Sequence, residues 1–92
     1  MQIICLDFRE IESREELHDF LERNLELPEY YGRNLDALYD VLTEESEETV
    51  ISVTGIDDET LGYFKACVSV LRDAARENDR LTVRFPEENE ED

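Results

Sequence analysis

Hydrophobic positions along the chain change period several times, and each change marks an element. Ile3 to Leu6 is a short unbroken apolar run, the pattern of a strand covered on both faces, and it is placed at the centre of a sheet. Ser13 and Glu16 then have capping-box spacing, the Ser13 hydroxyl accepting from the Glu16 N–H and the Glu16 carboxylate reaching back. A first helix follows, with Leu17, Phe20, Leu21 and Leu25 on one face. Pro28 and Gly32 end that period, leaving Leu27 to Gly32 as an ordered aromatic loop. Asn34 caps a second helix running to about Thr43, with Leu35, Leu38 and Leu42 as its stripe.

Thr49 to Thr54 is rich in β-branched residues and forms the second strand, closed by Gly55. Asp57 or Asp58 caps a long helix ending near Asn78, with Leu61, Phe64, Val68, Leu71 and Ala75 at a 3.6-residue period. Leu81, Val83 and Phe85 alternate with polar residues as an edge strand that Pro86 stops. Strands separated by helices pair in parallel through right-handed crossovers. The expected fold class is therefore α/β: a three-stranded parallel sheet with helices packed against it, order β-α-α-β-α-β. One domain spans residues 1–86, and Glu87 to Asp92 forms an acidic flexible tail.

Charge narrows the function classes. The 92 residues carry 26 acids against 9 Lys and Arg, a formal net charge of −17. Nucleic acid and anionic membranes are unfavourable partners for that field, because both are bound by cations that neutralise phosphate. Met1 to Leu6 lacks a basic n-region and reads as a strand rather than a secretory leader. Cys5 and Cys67 lie in apolar runs and are expected as reduced, buried thiols, which points to the cytoplasm.

Chemistry for catalysis is sparse. His18 is the sole histidine and stands among charged neighbours, where an exposed or half-exposed position is expected. Neither cysteine belongs to a zinc-type pair, Asp57-Asp58-Glu59 lacks the alternating ligands of a calcium loop, and the three glycines form no phosphate-cradling loop. The chain is expected to be neither an enzyme nor a holder of a metal or cofactor.

The second helix has two unlike faces. Tyr39, Thr43, Asp36 and Asp40 fall within about 100° of one another on the helical wheel, beside the leucine stripe. Residues 26–48 hold eight acids and one base, Arg33. Spacing alone leaves two readings open. Tyr30, Tyr31 and Tyr39 either pack as partly buried residues on an ordinary acidic surface, or join the carboxylates in a hot spot for a cationic protein.

The run Leu27-Pro28-Glu29-Tyr30-Tyr31-Gly32-Arg33-Asn34-Leu35-Asp36-Ala37-Leu38-Tyr39-Asp40-Val41-Leu42-Thr43 resembles the signature of the barstar family of intracellular inhibitors of barnase-like ribonucleases. The order of elements is also similar. The resemblance implies a cytoplasmic, antitoxin-like immunity protein, monomeric when free, that blocks the cationic site of a basic extracellular-type ribonuclease with an acidic helix and loop imitating RNA phosphates. It assigns Asp40 as the principal phosphate mimic, Asp36 as a second charge and Tyr30 as a packing contact on the enzyme's catalytic histidine. Gly32, Asn34 and Thr43 supply hydrogen bonds or close backbone approach, and Asp73 in the long helix adds a further ion pair. The chain departs from the family pattern where Tyr39 replaces a Trp, Glu44-Glu45 replaces Gly-Trp, Arg33 replaces an acid, and Asp73 replaces a Glu. Those departures leave room for another basic protein as the partner, a non-ribonuclease toxin or a regulatory protein.

Overall fold

In the computed structural model, residues 1–25, 27, 31–56, 60 and 62–86 are described. Their elements are β1 (Gln2–Asp7), a 3-10 turn (Phe8–Glu10), α1 (Arg14–Asn24), α2 (Leu35–Thr43), β2 (Thr49–Thr54), α3 (Gly62–Glu77) and β3 (Leu81–Arg84). The strands pair in parallel in the order β1-β2-β3, with Ile4 opposite Ile51 and Ile51 opposite Val83. This is the expected α/β order, with the 3-10 turn as an addition.

The placement of Ile3 to Leu6 at the centre of the sheet is corrected: β1 is an edge strand and β2 lies between its neighbours. Each crossover steps one strand in the same direction, and right-handed crossovers of that kind put their helices on one face. The other face meets solvent. Burial alternates accordingly, with Ile4, Leu6, Ile51, Val53 and Leu81 buried while Ile3 is 67% exposed. Cys5 shares the outer face and is exposed, whereas Cys67 on α3 is the buried thiol of the expected pair, its pKa pushed up to about 12 by burial. An apolar run cannot reveal which of its side chains face a helix layer; only the sheet order does.

Local sequence signals set the helix ends. Ser13 Oγ accepts from the Glu16 N–H at 3.1 Å, while the Glu16 carboxylate reaches the Glu12 N–H at 2.8 Å, one residue earlier than a capping box requires. Asn34 Oδ1 accepts from the Ala37 N–H at 2.8 Å and starts α2. The buried stripe of α3 is Phe64, Cys67, Val68, Leu71 and Ala74; Ala75, expected in it, is half-buried. Leu61, the Asp57 or Asp58 cap and the tail at 87–92 lie outside the described residues. Leucines from all three helices share one buried core with the inward strand residues, among them Leu17, Leu21, Leu38, Leu42 and Leu71, each at most 1% exposed. Phe8 from the 3-10 turn stacks on Phe64 with ring centroids 5.0 Å apart. The helix carrying the acidic face is thus clamped by its leucines and by α3.

Gly55 closes β2 at φ +81°, and a Cβ there would lie 2.5 Å from Asp7 Oδ1 and 2.8 Å from the Arg9 nitrogen. Asp7 caps the 3-10 turn by accepting from the Arg9 N–H at 3.0 Å. Gly55→Ala therefore combines a left-handed backbone with a displaced cap, and is expected to lower stability by about 1–3 kcal/mol. Urea unfolding measures it; an unchanged midpoint would contradict the assignment.

Candidate functional site

The site is built on one continuous segment, residues 31–43. Its geometry begins at Arg33, whose φ of 56° puts a non-glycine residue in the left-handed region. Gly32 before it has no left-handed angle; its smallness serves the cap instead. A Cβ on Gly32 would come 3.1 Å from Asn34 Nδ2, and Asn34 Nδ2 donates to the Gly32 carbonyl at 3.3 Å.

Positive φ at Arg33 is unfavourable for an L-residue, and the side chain offsets it with contacts to α1. Its guanidinium meets Asp19 at 2.9 Å and Glu22 at 2.8 Å, and donates to the Glu15 carbonyl at 3.3 Å. These two carboxylates, Asp19 foremost, raise the Arg33 pKa further. The one base of the acidic segment is thereby tied to α1 rather than offered beside the carboxylates of α2.

Along α2, Asp36 and Asp40 are exposed, Tyr39 and Thr43 half-buried, and Leu38 and Leu42 buried. Thr43 Oγ1 donates to the Asp40 carbonyl at 3.0 Å, which tightens the last turn. No cation among the described residues pairs with Asp36 or Asp40. Among the described residues five other acids are engaged, Asp7 with Arg9, Asp19 and Glu22 with Arg33, Glu47 with the N-terminus, and Asp73 with Arg76 at 2.7 Å, whereas exposed acids such as Glu12 and Glu44 are unpaired there like Asp36 and Asp40. A helix start with one carboxylate in its first turn also gains from the dipole. Asp36 and Asp40 thus stand on a helix as charges without a counterion among the described residues.

Gly32, Asn34, Asp36, Tyr39, Asp40 and Thr43 are brought together on this segment. Asp73 is elsewhere, exposed on α3, with its carboxylate already occupied by Arg76. Tyr30 lies outside the described residues.

Two aromatic expectations separate. Tyr31 is 7% exposed and Tyr39 half-buried, so Tyr31 is a core residue. His18 is corrected outright: it is 2% exposed, with Nδ1 2.7 Å from the Tyr31 hydroxyl and Nε2 2.8 Å from the Tyr63 hydroxyl. Charged sequence neighbours concealed this, but His18 falls within about 20° of Leu25 on the helical wheel, and that spacing was the available signal. Beside it lies a cavity of about 520 Å³, walled by Arg14, Glu15, Arg33, Asp36 and Tyr63. Arg14 covers the Tyr63 ring at 4.5 Å from its centroid.

Comparison with known proteins adds two findings. Residues 1–86 match the family model Barstar, described as barnase inhibitor. Over 43 residues the chain is 56% identical to "Putative ribonuclease inhibitor YrdF" of Bacillus subtilis (strain 168). That stretch covers 47% of this chain and 47% of the relative, so the similarity spans about half the length of each.

Proposed function

The chain belongs to the barstar family, and on that premise we propose that it inhibits a barnase-like ribonuclease by filling the enzyme's cationic site. The observation that supports this best is the pair Asp36 and Asp40, exposed on α2 and without a counterion among the described residues. A ribonuclease must hold phosphates with Arg, Lys and His groups. Carboxylates fixed on a helix can take those places with charge-assisted hydrogen bonds and little ordering cost.

In this reading Asp40 is the principal phosphate mimic and Asp36 the second charge. Tyr39 supplies apolar contact at the face's edge, and Tyr30 packs against the enzyme's catalytic histidine. Gly32 and Asn34 allow close backbone approach ahead of the helix, and Thr43 offers a hydroxyl at its end. Asp73 joins only by exchanging Arg76 for a cation of the enzyme. The protein acts as an inhibitor and not as an enzyme, in the cytoplasm, as antitoxin-like immunity against a secreted-type nuclease. Its net charge of −17 opposes self-association, so it is a monomer when free.

The test is RNA cleavage by barnase and related ribonucleases titrated with the protein. Stoichiometric loss of cleavage is expected with the cognate enzyme. Undiminished cleavage by all of them at micromolar excess, with capture of a different basic protein, would overturn the proposal in favour of another partner. Steering by the acidic face makes a second expectation: association should slow on the order of tenfold or more between low and physiological ionic strength. Stopped-flow mixing measures this, and a salt-independent rate would speak against electrostatic docking.

A further inference from the structure

His18 lies at a junction of α1, the loop ahead of α2 and the start of α3, and no role on the binding face requires it. A neutral imidazole has one donor and one acceptor nitrogen. The Tyr31 hydroxyl is buried and has no partner but His18 among the described residues, whereas Tyr63 is half-buried and borders the open cavity. Leaving a buried hydroxyl proton without an acceptor is costly. The arrangement that satisfies all three rings has Tyr31 donate to Nδ1 while Nε2–H donates to Tyr63.

We propose that neutral His18 is a positioning residue for the binding loop: through Tyr31 it holds residues 31–34 in the shape that presents Gly32 and Asn34 and starts α2, and its protonation releases that loop and weakens partner binding. This rests on the reading of residues 32–43 as the binding face. Protonation places an N–H where the Tyr31 proton points, so the pair either breaks or strands that proton in the core. The left-handed turn at Arg33 follows two residues after Tyr31, so a loosened Tyr31 frees a turn that is already unfavourable.

The surrounding charges do not rescue the imidazolium. From α1, Asp19 and Glu22 favour it, but both are held by Arg33, which opposes it. Arg14 and Glu15 of α1 and Asp36 of α2 border the same cavity, and α3 contributes Tyr63 and the neutral thiol of Cys67. Burial, the largest influence, lowers the His18 pKa from its ordinary value of 6.5. The released form therefore takes up the proton first. Release gains ground as pH falls below about 6.5 and continues to gain down to the lowered value of the native state.

The experiment follows the free 15N-labelled protein and its His18 ring signals by NMR from pH 8 to 5, and measures Kd for barnase over the same range. The amides of residues 32–36 are expected to move with the His18 titration. Affinity should fall by up to tenfold per pH unit beyond the change seen for His18→Gln, the limit for one linked proton. Gln can accept from Tyr31 and donate to Tyr63 without titrating, so H18Q should bind as wild type does at pH 7.5, within a few-fold, and lack the extra slope. Tyr31→Phe removes the opposing hydroxyl but leaves His18 buried, so its slope should lie between those of wild type and H18Q; it serves if H18Q fails to fold. Amides of 32–36 that ignore the His18 titration, or equal pH slopes for wild type and both variants, would overturn the proposal. Absence of any barnase binding would count against the functional reading for that enzyme, while the amide titration still decides the role of His18.

Discussion

Asp40→Ala is expected to weaken ribonuclease inhibition more than any other single substitution on the surface. Asp40 stands mid-face on α2, flanked by Asp36 one turn earlier and Thr43 at the helix end. Its carboxylate has no intramolecular cation to lose among the described residues, so the free protein should fold as before and the whole effect should fall on the complex. Truncating one partner of a buried, hydrogen-bonded charge pair at an interface costs about 2–5 kcal/mol, roughly 30-fold to several thousand-fold in Kd. Much of that is the cost of leaving the enzyme's cations desolvated and unpaired. The increase should appear mainly in the dissociation rate, since the remaining field still steers the encounter.

The control has to be chosen from the structure. Glu22 is exposed, but it holds Arg33, so Glu22→Ala would disturb the loop. Glu12 is exposed on the segment leading into α1 and has no side-chain partner among the described residues. Glu12→Ala should leave Kd within about threefold, in keeping with an exposed charge away from the contact. Equal losses for D40A and E12A in inhibition titrations would remove Asp40 from the site.

Much of this architecture was legible in local pattern. Asn34 before a Leu35-Leu38-Leu42 stripe identified α2 to the residue, and the β-branched run identified β2. Such signals are local: a cap and a period concern residues a few positions apart. Strand order is not local. Ile3 to Leu6 reads as a doubly covered strand until both crossovers are known to step in one direction, which leaves Ile3 and Cys5 facing water. His18 was hidden for the same kind of reason, because its partners are 13 and 45 residues away. Arg33 shows the limit most clearly. As a sequence symbol it is a positive charge placed inside an acidic patch, and so a weakening of the patch. In the fold it is neutralised by Asp19 and Glu22 and fixes the turn that starts α2.

Asn78→Ala is expected to have the largest effect on stability, and it tests whether the far end of α2 is anchored as firmly as its start. Asn78 is 9% exposed just beyond α3. Its Nδ2 donates at 2.9 Å to the carbonyls of both Leu42 and Glu45, and its Oδ1 accepts from the Arg80 N–H at 3.0 Å. One side chain thereby joins the C-terminus of α2, the end of α3 and the entry to β3, whose Arg80 carbonyl in turn accepts from the Thr49 N–H of the central strand. A helix C-terminus leaves carbonyls without helical partners, and here a side chain from across the fold supplies them. Alanine removes three hydrogen bonds at a buried junction, and at about 1 kcal/mol each, with a further cost for whatever water cannot reach, the loss should be about 2–4 kcal/mol. Against a total of about 5–14 kcal/mol for 92 residues, that is a large fraction. Asn78→Asp should be at least as damaging at neutral pH, because its carboxylate would face two carbonyl oxygens with no proton to share. Protonation restores a donor, so the Asp variant should recover part of the loss as pH falls toward 4, where wild type does not gain. Denaturant unfolding of both variants at pH 7 and pH 4.5 measures this. A loss for Asn78→Ala below 0.5 kcal/mol, or no relative recovery of Asn78→Asp in acid, would mean that water serves those carbonyls and that α2 is held by its leucines alone.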